Sequence, residues 1–212
     1  MKPLFDGKSV DGWVKRGGKA EYRVENGEII GVSCVNTENT FLCTPRTYGD
    51  FVLDADVKID EGLNSGIQIR SEAFDEPKEV TAVVEDGTEK TIKIPAGRVH
   101  GYQVEIDPTD RAFSGGIYDE ARRGWLSKPE GDDHKEARAA FKRDQWNHYH
   151  IECHGDSIKT WINGVPVADL HDDMTPAGFI ALQVHSIGND KAMAGKEVRW
   201  RNLKIAELDA GE

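Results

Sequence analysis

Over residues 50–60 apolar and polar positions alternate without a break: Phe51, Leu53, Ala55, Val57 and Ile59 fall on one parity, Val52, Asp54, Asp56 and Lys58 on the other. A period of two over that length predicts a half-buried antiparallel strand, with Asp54 and Asp56 facing solvent. Three more segments keep this period but carry an unusual polar side. In residues 64–70, Ile67 and Ile69 oppose Gln68 and Arg70; in 101–107, Tyr102, Val104 and Ile106 oppose Gln103, Glu105 and Asp107; in 179–185, Ile180, Leu182 and Val184 oppose Gln183 and His185. Were these three strands to share a sheet, amides, carboxylates, an arginine and a histidine would converge on one face above an apolar underside. That face is the candidate site.

The rest of the chain reads in the same alphabet. Asn26-Gly27 lies between Tyr22, Val24 and Ile29, Ile30, and Asn163-Gly164 lies between the strand patterns of 157–162 and 165–170; both predict two-residue hairpins. Residues 4–13 form a strap with two Asp-Gly turns, and 196–208 form a closing strand. Residues 71–99 are acidic and fit a sandwich least well; arms at 80–84 and 91–94 around Asp86-Gly87 predict a small projecting hairpin, either a solvated loop or a lid over the site. Residues 119–133, with Arg122, Arg123 and Trp125, read as a long polar loop, and 134–141 as a helical turn or two. At least ten short strands with almost no helix predict an all-β fold, a two-sheet antiparallel jelly-roll sandwich in one domain over 1–212. An immunoglobulin-like sandwich is disfavoured: the chain of 212 residues is twice the length of about 100 residues typical there and lacks the Cys-Trp-Cys framework.

Charge and composition remove whole classes of function. A net charge of −11 with no basic stripe argues against nucleic acid. No apolar run approaches the roughly 18 residues a membrane helix needs, so no membrane span is expected. Cys34, Cys43 and Cys153 show no metal-ligand spacing and read as small buried apolar residues, with a Cys34–Cys43 bridge between neighbouring strand-like segments left open. The residues after Met1 carry no secretion signal, although a removed signal would leave the same start.

The order of the pieces resembles the 3-keto-disaccharide hydrolase family, whose members have a concanavalin A-like jelly roll. The matching stretches are Leu4-Phe5-Asp6-Gly7 with Gly12-Trp13, Asp50-Phe51, Asn64-Ser65-Gly66-Ile67 through Arg70, Gly101-Tyr102-Gln103-Val104-Glu105-Ile106, Trp146-Asn147, Trp161-Ile162-Asn163-Gly164, Gln183-Val184-His185 and Arg201-Asn202-Leu203. The resemblance implies an enzyme that cleaves glycosides oxidised at the third sugar carbon, a carbohydrate-binding face, and a periplasmic or extracellular setting after removal of a signal.

For that chemistry the polar face supplies Glu105 and His185 as base and acid, Arg70 for a developing oxyanion and Tyr118 to protonate or orient, with Gln68, Gln103, Asp107, Trp125, Gln183 and Asn64 as substrate contacts. This reading requires Arg70, Glu105 and His185 to emerge on one wall. Glu105 and Asp107, two apart and about 6.5 Å along a strand, offer a rival paired-carboxylate mechanism. Plainer readings stand beside these: an Arg70–Glu105 surface ion pair, His185 as a structural hydrogen-bonder or metal ligand, Trp125 as core, and Trp146, Trp161 and Trp200 as packing. The sequence specifies no cofactor and leaves a structural calcium or a catalytic divalent metal open. The alternative function is a non-catalytic, lectin-like carbohydrate-binding domain.

Overall fold

The computed structural model describes residues 1–208. In chain order the strands are β1 (Lys2–Pro3), β2 (Val14–Gly17), β3 (Glu21–Glu25), β4 (Glu28–Val32), β5 (Thr40–Cys43), β6 (Phe51–Ile59), β7 (Ser65–Ala73), β8 (Lys78–Val83), β9 (Glu89–Ile94), β10 (Val99–Ile106), β11 (Ile117–Glu120), β12 (Gly124–Ser127), β13 (Asn147–His154), β14 (Ser157–Ile162), β15 (Val165–His171), β16 (Phe179–Val184) and β17 (Glu197–Glu207). One short α-helix, α1 (Lys135–Ala140), interrupts them. No described helix is long and apolar enough to cross a membrane.

Two antiparallel sheets make the jelly-roll sandwich. The back sheet runs β15-β14-β13-β6-β17-β4-β3 with β1 beside β17, and the front sheet runs β12-β11-β10-β7-β16-β5-β2. Between them lie the inward parities predicted from the sequence: Phe51, Leu53 and Val57 of β6 pack with Ile67 and Ile69 of β7, Val104 and Ile106 of β10, and Leu182 of β16. β6 alternates buried and half-buried along its whole length, as its pattern demands. Both Asn-Gly pairs form tight turns with left-handed backbone at each residue, Asn26 and Gly27, Asn163 and Gly164, the geometry whose twist matches the flanking strands.

β7, β10 and β16 are neighbours, so the three polar parities do meet on one sheet. The regularity breaks once. On β10, His100 pairs with Glu72 and Tyr102 with Ile69, so Gly101 faces two residues, Arg70 and Ser71; on β16 the step from Phe179↔Ser71 to Ala181↔Gln68 absorbs the same extra residue. Arg70 sits at this bulge with φ +43°, and an extra residue inverts the side-chain alternation beyond it.

β8 and β9 pair only with each other as the predicted hairpin. Its tip leans on the β11–β12 hairpin: the Glu85 amide donates to the Arg123 carbonyl in the turn, and Lys128, just after β12, reaches the Glu85 carboxylate at 3.3 Å. The polar loop expected over 119–133 instead contains β12, which folds back on β11. Its composition hid the strand, because the buried partner that fixes the turn is itself charged. Asp119, fully buried, takes ion pairs from Arg122 at 2.7 Å and Arg123 at 2.5 Å, and Arg123 continues to Asp172 at 2.7 Å.

Candidate active site

On the outer face of the front sheet three glutamines form a row. Gln68 and Gln183 each donate through Nε2 to Oε1 of Gln103, at 2.6 and 2.8 Å, and Gln103 Nε2 donates to Oε2 of Glu105 at 3.0 Å. Ser71 Oγ, brought to this side by the bulge, donates to Gln68 Oε1 at 2.8 Å. Gly66 makes the row feasible. It pairs with Glu105 across the β7–β10 ladder, and a Cβ there would collide with the Gln103 side chain.

The row ends at Glu105, 4% exposed. Its Oε1 accepts from Asn64 Nδ2 at 2.7 Å and from Arg111 Nη2 at 3.1 Å. Burial drives its carboxyl up to about 7, against the pull of Asn64, Gln103 and Arg111 and with a small push from Asp107. A carboxylate offers about four acceptor directions; three are taken by these donors. The group is therefore desolvated, oriented and half-ionised near neutrality, the condition of an acid–base catalyst.

Arg111 stands where Arg70 was expected. Its Nε bonds Oδ2 of Asp107 at 2.8 Å, and its guanidinium lies over Phe113 and Trp125, 5.3 and 5.7 Å from the ring centres. Asp107 lies just beyond the end of β10 and is fully committed: Oδ1 takes Thr109 Oγ1 at 2.6 Å and the Thr109 amide at 3.1 Å, while Oδ2 takes Arg111. Burial pushes the Asp107 pKa up, but the Thr109 and Arg111 hydrogen bonds outweigh it and leave the carboxyl below its ordinary range. Two carboxyls two residues apart are thus pushed in opposite directions. Asp107 anchors Arg111, and the paired-carboxylate reading loses its second free group.

Above this floor opens a cleft of about 780 Å³, lined by Asn64, Gln103, Glu105, Asp107 and Arg111 and, farther along, by Tyr118, Trp125, Glu120, Arg98, Asn39 and His185. Tyr118, cross-strand from Gln103, packs edge-on against Trp125 with ring centres 5.3 Å apart. Its hydroxyl is held above the usual phenol range by burial first, then by the charges of Glu120 and Glu105. Glu120 is a second buried carboxylate: Arg98 pairs with it at 2.7 Å and Asn39 donates to it at 3.3 Å. Burial pushes its pKa above the ordinary carboxylate range despite Arg98, Asn39 and nearby His185. His185 is half-buried with Nδ1 on the Ser186 carbonyl at 2.7 Å.

The predicted site residues are distributed as follows. Glu105, Asn64, Gln103, Asp107, Tyr118, Trp125 and His185 all line the cleft. Gln68 and Gln183, expected to touch substrate, are fully buried beneath it and hold Gln103 instead. Arg70 fails its expectation. The bulge turns it to the inter-sheet side, fully buried, where Nε and Nη1 donate to the Gly49 and Gly155 carbonyls at 2.8 and 2.7 Å and Nη2 pairs with Asp50 at 2.8 Å. It ties the front sheet to the end of the back sheet, and the expected Arg70, Glu105, His185 wall does not form.

Arg111, Arg98, Asn39 and Glu120 were not anticipated. Glu120 shares parity with Tyr118 and was within reach of the same reasoning; Arg111, Arg98 and Asn39 sit on loops, where no period operates. The three cysteines are free thiols, with no Cys34–Cys43 bridge. Trp200 is core, whereas Trp146 and Trp161 lie half-buried under Arg201 and beside His150.

The family model for the 3-keto-alpha-glucoside-1,2-lyase-like domain matches residues 1–206. The chain belongs to this family. No curated protein matches its sequence. Among solved structures, a Bacillus subtilis protein of unknown function with a galectin-like fold superposes with a TM-score of 0.63 at 13% identity, over 97% of this chain and 94% of its own. A Parabacteroides distasonis protein described as a "putative glycosyl hydrolase" gives 0.55 at 21% identity over 98% of each chain. The carbohydrate-binding module CBM66 from Bacillus subtilis gives 0.51 at 16% identity, over 92% of this chain and 96% of its own. At these identities the likeness is one of fold.

Proposed function

We propose that this family member is a glycoside-cleaving enzyme acting on 3-keto-glycosides, with Glu105 as its base. The observation that carries the reading is Glu105 itself: a carboxyl almost wholly removed from water on the floor of an open polar cleft, titrating near 7, with three fixed donors and one acceptor direction left over. A ketone at C3 acidifies the C2 proton. Glu105 takes that proton, the electron pair moves onto the C3 oxygen as an enolate, and its return expels the C1 oxygen, leaving a C1–C2 double bond conjugated to the restored ketone. Arg111 supplies positive charge to the enolate oxygen, in the role first given to Arg70. His185 delivers a proton to the departing oxygen, and Tyr118, between the two carboxylates, orients the sugar.

A carbohydrate-binding domain without catalysis is the second reading. It is favoured by the amide and aromatic lining of the same cleft, Asn39, Asn64, Tyr118 and Trp125, groups that suit sugar hydroxyls and ring faces. One experiment separates the two. The protein is incubated with 3-keto-trehalose and with trehalose, with and without chelator, and products are followed by mass. Release of glucose from the keto sugar alone, abolished in Glu105→Gln, supports the enzyme; saturable binding with both sugars intact supports the lectin-like domain and refutes the enzyme.

A further inference from the structure

On the opposite side of the molecule, the outer face of the back sheet gathers a different set of groups. His148 and His150 lie two apart on β13, so both project to the same side, and their cross-strand partners on β6 are Asp56 and Asp54. One ring nitrogen from each histidine and one Asp54 oxygen lie within 4.8 Å of one another. We infer that His148, His150 and Asp54 form a binding site for a divalent transition-metal ion, remote from the cleft and independent of its chemistry.

The distances are close to what such an ion needs. Ligand atoms about 2.0–2.1 Å from a tetrahedral ion stand roughly 3.3 Å apart. Asp54 Oδ1 is 3.6 Å from His148 Nε2 and 2.6 Å from His150 Nδ1. The shorter separation is a hydrogen bond, and an entering ion replaces its proton, which leaves to solvent.

The remaining nitrogen of each ring is also provided for. His148 Nδ1 is 3.0 Å from Asp56 Oδ1, and His150 Nε2 is 3.1 Å from Glu152 Oε1. Asp56 is fixed in turn by Asn202 Nδ2 at 2.7 Å, presented by a bulge in β17 with Asn202 in left-handed backbone. Carboxylates behind ligating imidazoles set the tautomer and raise ligand basicity, and this is the usual support around histidine-bound metals. Two imidazoles with one carboxylate select zinc, nickel, cobalt or copper over calcium or magnesium. His148 is half exposed, so the ion is reached from solvent and keeps a position for water or an outside ligand.

Trp161 provides the reporter, its ring centre 5.2 Å from that of His150. The untagged full chain is titrated with Ni(II), Zn(II) and Ca(II) by calorimetry, and Ni(II) binding is followed by quenching of tryptophan fluorescence. The expected result is one Ni(II) or Zn(II) per chain. His148→Ala and His150→Ala each weaken binding by a hundredfold or more, and Asp56→Asn by about tenfold. Trp161→Phe abolishes most of the quench at unchanged stoichiometry, and Glu105→Gln binds as wild type. Thermal melts of each variant check folding; Asp56→Asn leaves all three ligands in place and so tests the site if an alanine variant melts early. Overturning results are an absence of saturable Ni(II) or Zn(II) binding below millimolar concentration, equal affinity in His148→Ala/His150→Ala, loss of the site in Glu105→Gln, or binding of Ca(II) alone.

Discussion

Gln103 Nε2 stands 3.0 Å from Oε2 of Glu105, and the oxygen of the same amide is held by Gln68 and Gln183. Gln103 therefore cannot turn over without placing three NH2 groups together, and its donor is locked toward the carboxylate. Replacing it by methionine removes that donor and strands two buried amides. Expected are a loss of about 1–3 kcal/mol in stability and a rate profile on 3-keto substrate displaced to higher pH, since a donor that favours the carboxylate is gone. Chemical denaturation and a pH series of kcat/KM check the two effects; an unmoved profile would mean that the row is scaffolding only.

The sign of the pH dependence distinguishes base from acid. With Glu105 titrating near 7, a base is active when ionised, so kcat/KM should climb through about pH 7 and level off above it; an essential acid at this position would give a fall over the same interval. The folded state holds this proton more firmly than the unfolded chain. The associated stability is thus fully present below the ordinary glutamate value and lost as pH rises through about 7. Initial rates and thermal melts between pH 5 and pH 9 (roughly, the span around neutrality in which these groups titrate) test both statements.

Arg111 touches both Glu105 and Asp107. Arg111→Ala should lower kcat/KM by about 10²–10³-fold, the usual effect of deleting one preorganised charge donor, and should raise the Glu105 titration because an opposing charge has left. Arg111→Lys restores the charge but not the fork that spans two carboxylates, so the profile should return toward wild type while the rate recovers only in part. Kinetics of the two variants side by side give the answer.

For Arg70 the expectation is the reverse. Arg70→Ala breaks a buried pair with Asp50 and leaves two carbonyls without donors, costing about 3–5 kcal/mol and lowering the melting temperature by on the order of 10 °C for a chain of this size. Below the melt, the pH profile of cleavage should match wild type. A shifted profile with an unchanged melt would restore Arg70 to the cleft.

Most of the sandwich was legible because its strands obey one rule. β6 kept its parity end to end, and Gln68, Gln103, Glu105 and Gln183 met as their alternation required. That rule failed at Arg70, where one extra residue in β7 inverts the count; nothing local in Ser-Gly-Ile-Gln-Ile-Arg-Ser announces a bulge that is accommodated on the partner strand by Gly101, held at φ +127° against Ser71. β12 was hidden for another reason: the turn before it is secured by Asp119 with Arg122 and Arg123, residues that by composition belong to solvent. Alternation says nothing of loops, so the cation that faces Glu105 could not be read from it.

With Arg70 turned away at the bulge in β7, the cleft's charges rest on two kinds of support. The carboxylates Glu105 and Glu120 sit on β10 and β11, inside the hydrogen-bonded lattice, whereas the guanidiniums that meet them, Arg111 and Arg98, come from the segments after and before β10. Loops accept insertion and exchange far more readily than paired strands. On the proposed function, a change in those two connectors alters which sugar or leaving group is welcomed, while the acidic groups and the amide row beneath stay where the sheet has put them.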